Sequence, residues 1–264
     1  MKRRGTTLAS KSDPLELYQR AVQQPRRDVG LFQRIWRRHH GPGTPLVLRE
    51  DFCGAAAVSC AWVRSHPERT ARGVDLDTKV LVWGAVNNQM RLPKGARERL
   101  QLVQGDVRRV MSPKADVVAA QNFSFCVFKA RKDLVAYFRH ARRNVKRKGV
   151  FVLDVLGGFE TQQSPRREPR KEDGFVYVWE HRRFDPVNQN GIFVIHFEFG
   201  DGSALRDAFV YDWRMWTIPE VREALVEAGF RTTEVWWEED DGSWRPRTSA
   251  PPDAVWLAMV VGIP

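Results

Sequence analysis

The sequence predicts an α/β protein with a seven-stranded mixed sheet that carries helices on both faces. Short apolar runs alternate with helical patterns between residues 45 and 156, and such alternation is typical of βαβ units in a parallel sheet. From residue 175 to residue 213, strand patterns follow one another without helices, which predicts an inserted antiparallel β meander. Helical periodicity before residue 42 predicts an N-terminal helical cap.

Each predicted element has its own local signal. Ser12 or Asp13 can cap a helix that has Pro14 in its first turn, and Asn190-Gly191 is typical of a hairpin turn in the meander. Residues 160–173 are polar and contain two prolines, so we expect a flexible connection there. The predicted strands cover residues 46–48, 71–74, 100–103, 115–119, 150–155, 175–184, 192–199, 205–213, 232–238 and 255–261, and the helices after the cap cover residues 55–64, 79–90, 132–145 and 219–228.

These patterns divide the chain into three parts. Residues 1–42 are the cap, residues 43–156 and 214–264 are the core, and residues 157–213 are the insert, which we expect to cover a substrate as a lid. A chain of 264 residues with 42% hydrophobic content can build one sizeable core of this kind.

Composition limits the location and the type of site. No apolar run is long enough to span a bilayer, and the basic N-terminus lacks the apolar stretch of a secretory signal. Cys53, Cys60 and Cys126 show no paired CxxC spacing, so neither a disulfide framework nor a zinc site is expected. We therefore expect a cytoplasmic protein without a metal or a membrane partner.

Most of the net charge of +11 lies near the N-terminus. Residues 1–42 contain ten Lys or Arg against three Asp or Glu, a net charge of +7. Such an arm could bind nucleic acid or an acidic substrate. Since aromatic residues do not alternate with these arginines as a base-stacking surface requires, a solvated helix face is the favoured interpretation.

The first predicted strand is followed by a turn of small residues. Gly54, Ala55 and Ala56 precede a predicted helix, and small residues there let a ligand approach the backbone and the amides of the helix N-terminus. Close packing of helix and sheet would use the same residues. A dinucleotide-binding turn needs three glycines, and Gly54 alone remains here, which argues against a dehydrogenase.

Polar residues also follow the next three strands. Asp75 suits hydrogen bonds with ribose hydroxyls, Asp77 suits a helix cap, and Asp106 suits an adenine amino group. Gln121 and Asn122 follow the fourth strand. An aspartate after a strand is also an ordinary turn residue, but all four strand ends meet at the edge where ligands bind in open α/β sheets. The common order and spacing therefore predict one binding site.

With these motifs, residues 45–156 and 215–262 resemble the class I S-adenosylmethionine-dependent methyltransferases, which have a Rossmann-like fold. The resemblance implies S-adenosylmethionine as cofactor and a final antiparallel hairpin. Phe52 and Ala56 stand where the family has its first and last glycines, so a shifted loop and a non-catalytic cofactor-binding homologue remain alternatives. The implied cofactor residues are Glu50 as the acid of the first motif, Cys53, Gly54 and Ala55 beside the methionine moiety, Asp75 with Leu76 at the ribose, Asp106 with Val107 at the adenine, and Gln121 with Asn122 at the sulfonium and substrate.

The insert and the cap contain the remaining candidates. His196 and Tyr211 are candidate bases, and Tyr18 could close over the methionine carboxylate. The aromatic residues of the insert could equally form a small core, and Tyr18 could be an ordinary helix residue.

Two functions remain open at this point. The first is methyl transfer to a nitrogen or oxygen atom of a small molecule under the lid. The second is an RNA- or protein-directed methyltransferase that docks through the basic arm. The segment from Gln121 to Ser124 lacks the Pro-Pro-aromatic signature of base-amine methylation, so we favour the small molecule. A homodimer is left open.

Overall fold

Three helices precede the first strand: α1 (Leu8–Lys11), α2 (Pro14–Val22) and α3 (Pro25–His40). The structure is a computed structural model that describes residues 6–264. As predicted, Asp13 caps α2, because its carboxylate accepts a hydrogen bond from the Leu15 amide at 2.8 Å. The apolar face of α3 includes Phe32 and Ile35, which are fully buried against the sheet.

Five parallel strands follow: β1 (Val47–Asp51), β2 (Thr70–Asp75), β3 (Leu100–Gln104), β4 (Ala115–Ala120) and β5 (Val145–Gly157). Their order in the sheet is β3-β2-β1-β4-β5, so their carboxyl ends share one edge. Every residue of β4 is buried, as expected for a central strand that is covered on both faces. The connecting helices are α4 (Ala57–Arg64), α5 (Thr78–Asn87), α6 (Lys94–Arg97) and α7 (Arg131–Asn144), with 3-10 helices at Gln89–Arg91 and Ser124–Val127.

The insert forms a separate antiparallel sheet. A 3-10 helix at Phe159–Gln162 leads into four strands, β6 (Arg166–Glu172), β7 (Phe175–Asp185), β8 (Asn190–Glu198) and β9 (Ala204–Arg214), which pair in that order. The expected flexible connection over residues 160–173 is therefore wrong, because β6 lies within it. This strand is charged and contains Pro169, features that an edge strand tolerates and that an apolar-pattern search does not detect.

The chain returns to the core through α8 (Ile218–Glu227), β10 (Thr232–Glu238), β11 (Trp244–Pro246) and β12 (Trp256–Ile263). Thr217 and Glu220 form a capping box at the start of α8. Strand β12 lies antiparallel between β5 and β10, and β11 extends the sheet to eight strands. The predicted mixed sheet with helices on both faces is confirmed, with one more short strand than expected.

The two faces of the large sheet have separate cores. Tyr137, Phe138 and Leu225 from α7 and α8 pack on one face, and Phe32 and Trp62 from α3 and α4 pack on the other. No helix formed by residues 6–264 is both long and apolar enough to cross a membrane.

Candidate functional site

The loop after β1 has the backbone conformation that glycine favours, although Phe52 and Ala56 stand at two positions where the resembled family has glycines. Phe52, Gly54 and Ala56 all have positive φ angles, of 56°, 50° and 58°, in the left-handed region that glycine adopts most easily. The Phe52 ring packs against Tyr137 at a centroid distance of 5.5 Å. This packing leaves the Phe52 side chain half-buried, and the turn keeps its shape without a glycine at this position.

Two glycines outside the loop hold it close to its neighbours. A Cβ atom on Gly73 of β2 would lie 2.8 Å from the Cys53 sulfur, and one on Gly84 of α5 would lie 2.5 Å from the Ala55 carbonyl oxygen. Neither position can carry a side chain without displacement of the loop. The loop is therefore fixed from behind by β2 and α5.

Asp75 joins this loop to the end of β2. Its Oδ2 accepts a hydrogen bond from the Gly54 amide at 2.8 Å, and its Oδ1 accepts one from the Asp77 amide at 2.9 Å. Asp77 caps α5, as expected, through the Lys79 amide. The next residue, Leu76, is 63% exposed. Because each carboxylate oxygen can accept a second hydrogen bond, Asp75 retains the capacity to bind ribose hydroxyls.

Glu50 lies beneath the loop and is buried. Its Oε2 accepts hydrogen bonds from the amide and the hydroxyl of Ser59, at 2.8 and 2.5 Å. Burial raises the pKa of this carboxyl group to about 7, since desolvation disfavours the charged form. Glu50 therefore binds a proton in the folded state over a pH range in which it is ionised in the unfolded chain.

We expect the cofactor-free protein to lose stability as the pH rises from about 5 to about 8. The pKa of Glu50 rises from its ordinary value of 4.5 to about 7 on folding, so its stabilising contribution is complete below the lower value and is lost as the pH passes the upper one. Asp28 and Asp154, each with a pKa near 7, act in the same direction. Urea unfolding across this pH range should show a smaller loss of unfolding free energy for Glu50→Gln than for the wild type. An equal loss in both proteins would contradict this role of Glu50.

Asp106, after β3, is paired with a neighbouring arginine. Its Oδ2 lies 2.7 Å from Nη2 of Arg108, and this ion pair lowers the pKa of the Asp106 carboxyl group. Val107 is buried, and its carbonyl oxygen accepts a hydrogen bond from Arg49 at 3.2 Å. An adenine amino group would thus have to share Asp106 with Arg108.

The turn after β4 is fixed by a carboxylate of β5. Asn122 and Phe123 have positive φ angles of 57° and 56°, and their amides donate hydrogen bonds to Asp154 at 2.7 and 2.9 Å. Burial raises the pKa of Asp154 to about 7. Gln121 is buried beside Met259.

A cavity of about 690 Å³ lies above the ends of β4 and β5. It reaches Val58 in the first turn of α4, and Tyr18, Gln121 and Asn122 among the predicted cofactor residues line it. The other predicted cofactor residues, at the ends of β1, β2 and β3, lie outside its lining. Aromatic residues of the insert form its opposite wall: Tyr177, Trp179, Tyr211 and Trp213.

The structure places the two candidate bases, Tyr211 and His196, in different surroundings. Tyr211 lines the cavity and hydrogen-bonds Tyr18, and burial raises the pKa of its hydroxyl well above the ordinary value. It therefore remains protonated and suits a hydrogen-bond donor better than a base. His196 lies outside the cavity lining, where its Nε2 is 2.7 Å from Glu180 and its Nδ1 accepts from the Asp207 amide at 3.0 Å. His196 is thus held in the insert itself.

Sequence reasoning missed Asp28 and Asp154, which both line the cavity. Asp154 could have been found, because it stands near the end of the fifth predicted strand, where the same edge rule applies. Asp28 had no such signal, since its place depends on how α3 crosses the edge of the sheet.

No family model and no curated protein sequence matches the chain. Solved structures do match it. Streptomyces venezuelae DesVI has a TM-score of 0.70 at 17% identity, over 96% of this chain and 99% of that one. An S-adenosylmethionine-dependent methyltransferase from Clostridium acetobutylicum has a TM-score of 0.66 at 15% identity, over 93% and 96%.

A third similar structure is CalS10 with its bound cofactor, an amino pentose methyltransferase from Micromonospora echinaspora. Its TM-score is 0.64 at 15% identity, over 93% of this chain and 95% of that one. The chain therefore has the class I fold of the S-adenosylmethionine-dependent methyltransferases.

Proposed function

We propose that this protein transfers a methyl group from S-adenosylmethionine to a nitrogen or oxygen atom of a small molecule. The observation that carries the proposal is the cavity of about 690 Å³ that extends from Val58 and Asn122 to the aromatic wall of the insert. A space of this size suits a small ligand. Its position next to the predicted cofactor residues supports an acceptor site.

The residues at the strand ends fit the cofactor. The N-cap residue of helix α4, Ala56, makes no side-chain hydrogen bond, so the amides of Ala57 and Val58, which precede the Ser59 amide bonded to Glu50, suit the methionine carboxylate. Asp75 has free acceptor capacity for the ribose, and the exposed Leu76 suits an apolar contact with the adenosine. The similar amino pentose methyltransferase, with S-adenosylmethionine bound, supports the same cofactor here.

The bound cofactor would supply an electrophilic methyl group on its sulfonium. The acceptor lone pair would take this methyl group with S-adenosylhomocysteine as the leaving group, and the acceptor proton would pass to a carboxylate of the cavity. The protein's contribution is to align the two reactants and to exclude water. Trp179 and Trp213 line the cavity on the side of the insert, and Tyr211 joins the insert to the cap through its hydrogen bond to Tyr18.

Isothermal calorimetry tests cofactor binding. The wild-type protein should bind S-adenosylmethionine and S-adenosylhomocysteine, and Asp75→Ala should weaken both at least about tenfold, or about 1.4 kcal/mol, because it removes the ribose acceptor and the bond to Gly54. Asp77→Ala is the matched control: it removes only the cap of α5 and should retain the affinity. Absence of binding heat with the wild type would refute the proposed cofactor.

A further inference from the structure

The cavity contains more carboxylates than cations that can neutralise them. Three of its acidic residues already have cationic partners. Glu238 lies 2.5 Å from Arg27, Glu172 lies 2.7 Å from Arg170, and Glu168 lies 3.0 Å from Arg166. These pairs leave Asp28 and Asp154, which also line the cavity.

Asp28 has no partner of this kind. Within residues 6–264, no hydrogen bond or ion pair involves its side-chain oxygens, although the side chain is half-buried. The remaining arginine of the lining, Arg20, donates to the Asp173 carbonyl group and lies over the Phe175 ring at 5.1 Å. Burial and the charge of Asp154 raise the pKa of Asp28 by more than the charge of Arg27 lowers it, and no arginine of the cavity forms an ion pair with Asp28.

Among the residues that the structure describes, none forms an ion pair with Asp154 either. It is 9% exposed, and its hydrogen bonds come from the uncharged amides of Asn122 and Phe123. Asp28 and Asp154 lie near enough to each other that the charge of Asp154 raises the pKa of Asp28, to which burial is the larger contribution. Two neighbouring ionised carboxylates without an ion-pair partner are unfavourable in a buried site unless they bind a proton or a cation.

The walls opposite these carboxylates also suit a cation. Trp179, Tyr177 and Tyr211 border the same cavity, and aromatic faces attract ammonium groups, most strongly where water is excluded. Arg170 already lies over the Tyr177 ring at 4.8 Å, which shows that this wall accepts positive charge. A neutral alcohol would satisfy neither the carboxylates nor the aromatic faces to the same extent.

We propose that the methyl acceptor is an amine, that Asp28 and Asp154 bind its ammonium form in the cavity, and that one of these two carboxylates takes the ammonium proton before the nitrogen lone pair accepts the methyl group. The proposal rests on the proposed function and makes it more specific, since it selects nitrogen over oxygen. Asp154 also fixes the turn after β4, so its replacement would disturb more than the binding of a ligand. Within the described residues, the Asp28 side chain makes no hydrogen bond or ion pair that its replacement would break. Asp28 is therefore the residue to replace in a test of ligand binding.

The test compares two ligands of nearly equal shape, trans-4-aminocyclohexanol and trans-cyclohexane-1,4-diol, by ligand-observed NMR in the presence of S-adenosylhomocysteine. At about pH 8 an alkyl amine is still protonated. The wild-type protein should bind the amine at least about fivefold more tightly than the diol, or by roughly 1 kcal/mol. Asp28→Asn should remove most of this preference, and Glu172→Gln should keep it because that carboxylate is already paired with Arg170.

Calorimetry on the same samples separates the possible failures. Normal S-adenosylhomocysteine binding with no preference for the amine would overturn the inference and leave the proposed function standing. An equal loss of the preference for the amine in Asp28→Asn and Glu172→Gln would also overturn the inference, because the total charge of the cavity would then determine that preference. The same holds if Asp28→Asn weakens S-adenosylmethionine and leaves amine binding unchanged, since Asp28 would then serve the cofactor.

Discussion

Replacement of Arg49 by methionine is expected to lower the free energy of unfolding by about 3–5 kcal/mol. Arg49 and Asp51 are both almost fully buried in β1, with 2.7 Å between Nε and Oδ1. Asp51 also accepts a hydrogen bond from the Tyr137 hydroxyl at 3.0 Å. Without the guanidinium, the Asp51 carboxylate would remain buried without a cation, which is much more costly than the loss of an exposed pair.

Arg49 also holds the segment that follows Asp106. Its Nη1 donates to the Val110 carbonyl oxygen and to the Ser112 hydroxyl, each at 2.6 Å. We therefore expect Arg49→Met to weaken cofactor binding together with stability. Urea unfolding measures the stability, and Arg108→Met is the control, because it removes an ion pair with a partly exposed arginine and should cost at most about 1 kcal/mol. Similar losses in the two variants would contradict the role assigned to Arg49.

Gly84→Ala is expected to raise the dissociation constant for S-adenosylhomocysteine at least about tenfold. The added methyl group would lie 2.5 Å from the Ala55 carbonyl oxygen, and backbone atoms at that distance have to move apart. Helix α5 or the loop after β1 must therefore shift, and the bond between Gly54 and Asp75 shifts with it. Overpacking of this kind should also cost about 1–3 kcal/mol of stability.

Gly30→Ala gives the matched comparison for this substitution. Gly30 lies within the helix α3, and a Cβ atom there would meet no heavy atom within 4 Å. Its replacement should leave cofactor affinity unchanged and increase stability slightly, because alanine restricts the unfolded chain. Calorimetry on both variants decides the question: unchanged affinity in Gly84→Ala would show that the loop position does not control binding.

The sequence predicted those parts of the fold that follow from local periodicity. The five parallel strands contain short apolar runs, and helices separate all of them except β3 and β4, so both their type and their order along the chain could be recognised. Strand β6 could not, because an edge strand that faces solvent needs no apolar pattern. The three residues of β11 were too few to distinguish from a loop.

The candidate site was likewise predictable from the sequence only in part. Asp75 and Asn122 could be proposed because parallel strands place their ends at one edge, which is a property of the topology alone. The position of Asp28 depends on the path of α3 over that edge, and the separation of His196 from Tyr211 depends on which face of the insert is turned towards the core. Both are tertiary features, which alternation along one strand cannot determine.

The division of the cavity between two sheets has a consequence for how this protein could diversify. Apart from Tyr18 of α2, the proposed cofactor residues are supplied by strand ends and loops before residue 123, whereas Trp179, Tyr211 and Trp213 belong to β7 and β9 of the insert. Substitutions in the insert could therefore change which acceptor is methylated without altering the residues that hold the methyl donor. In a lineage with this fold, acceptor choice and donor binding could then evolve largely independently of one another.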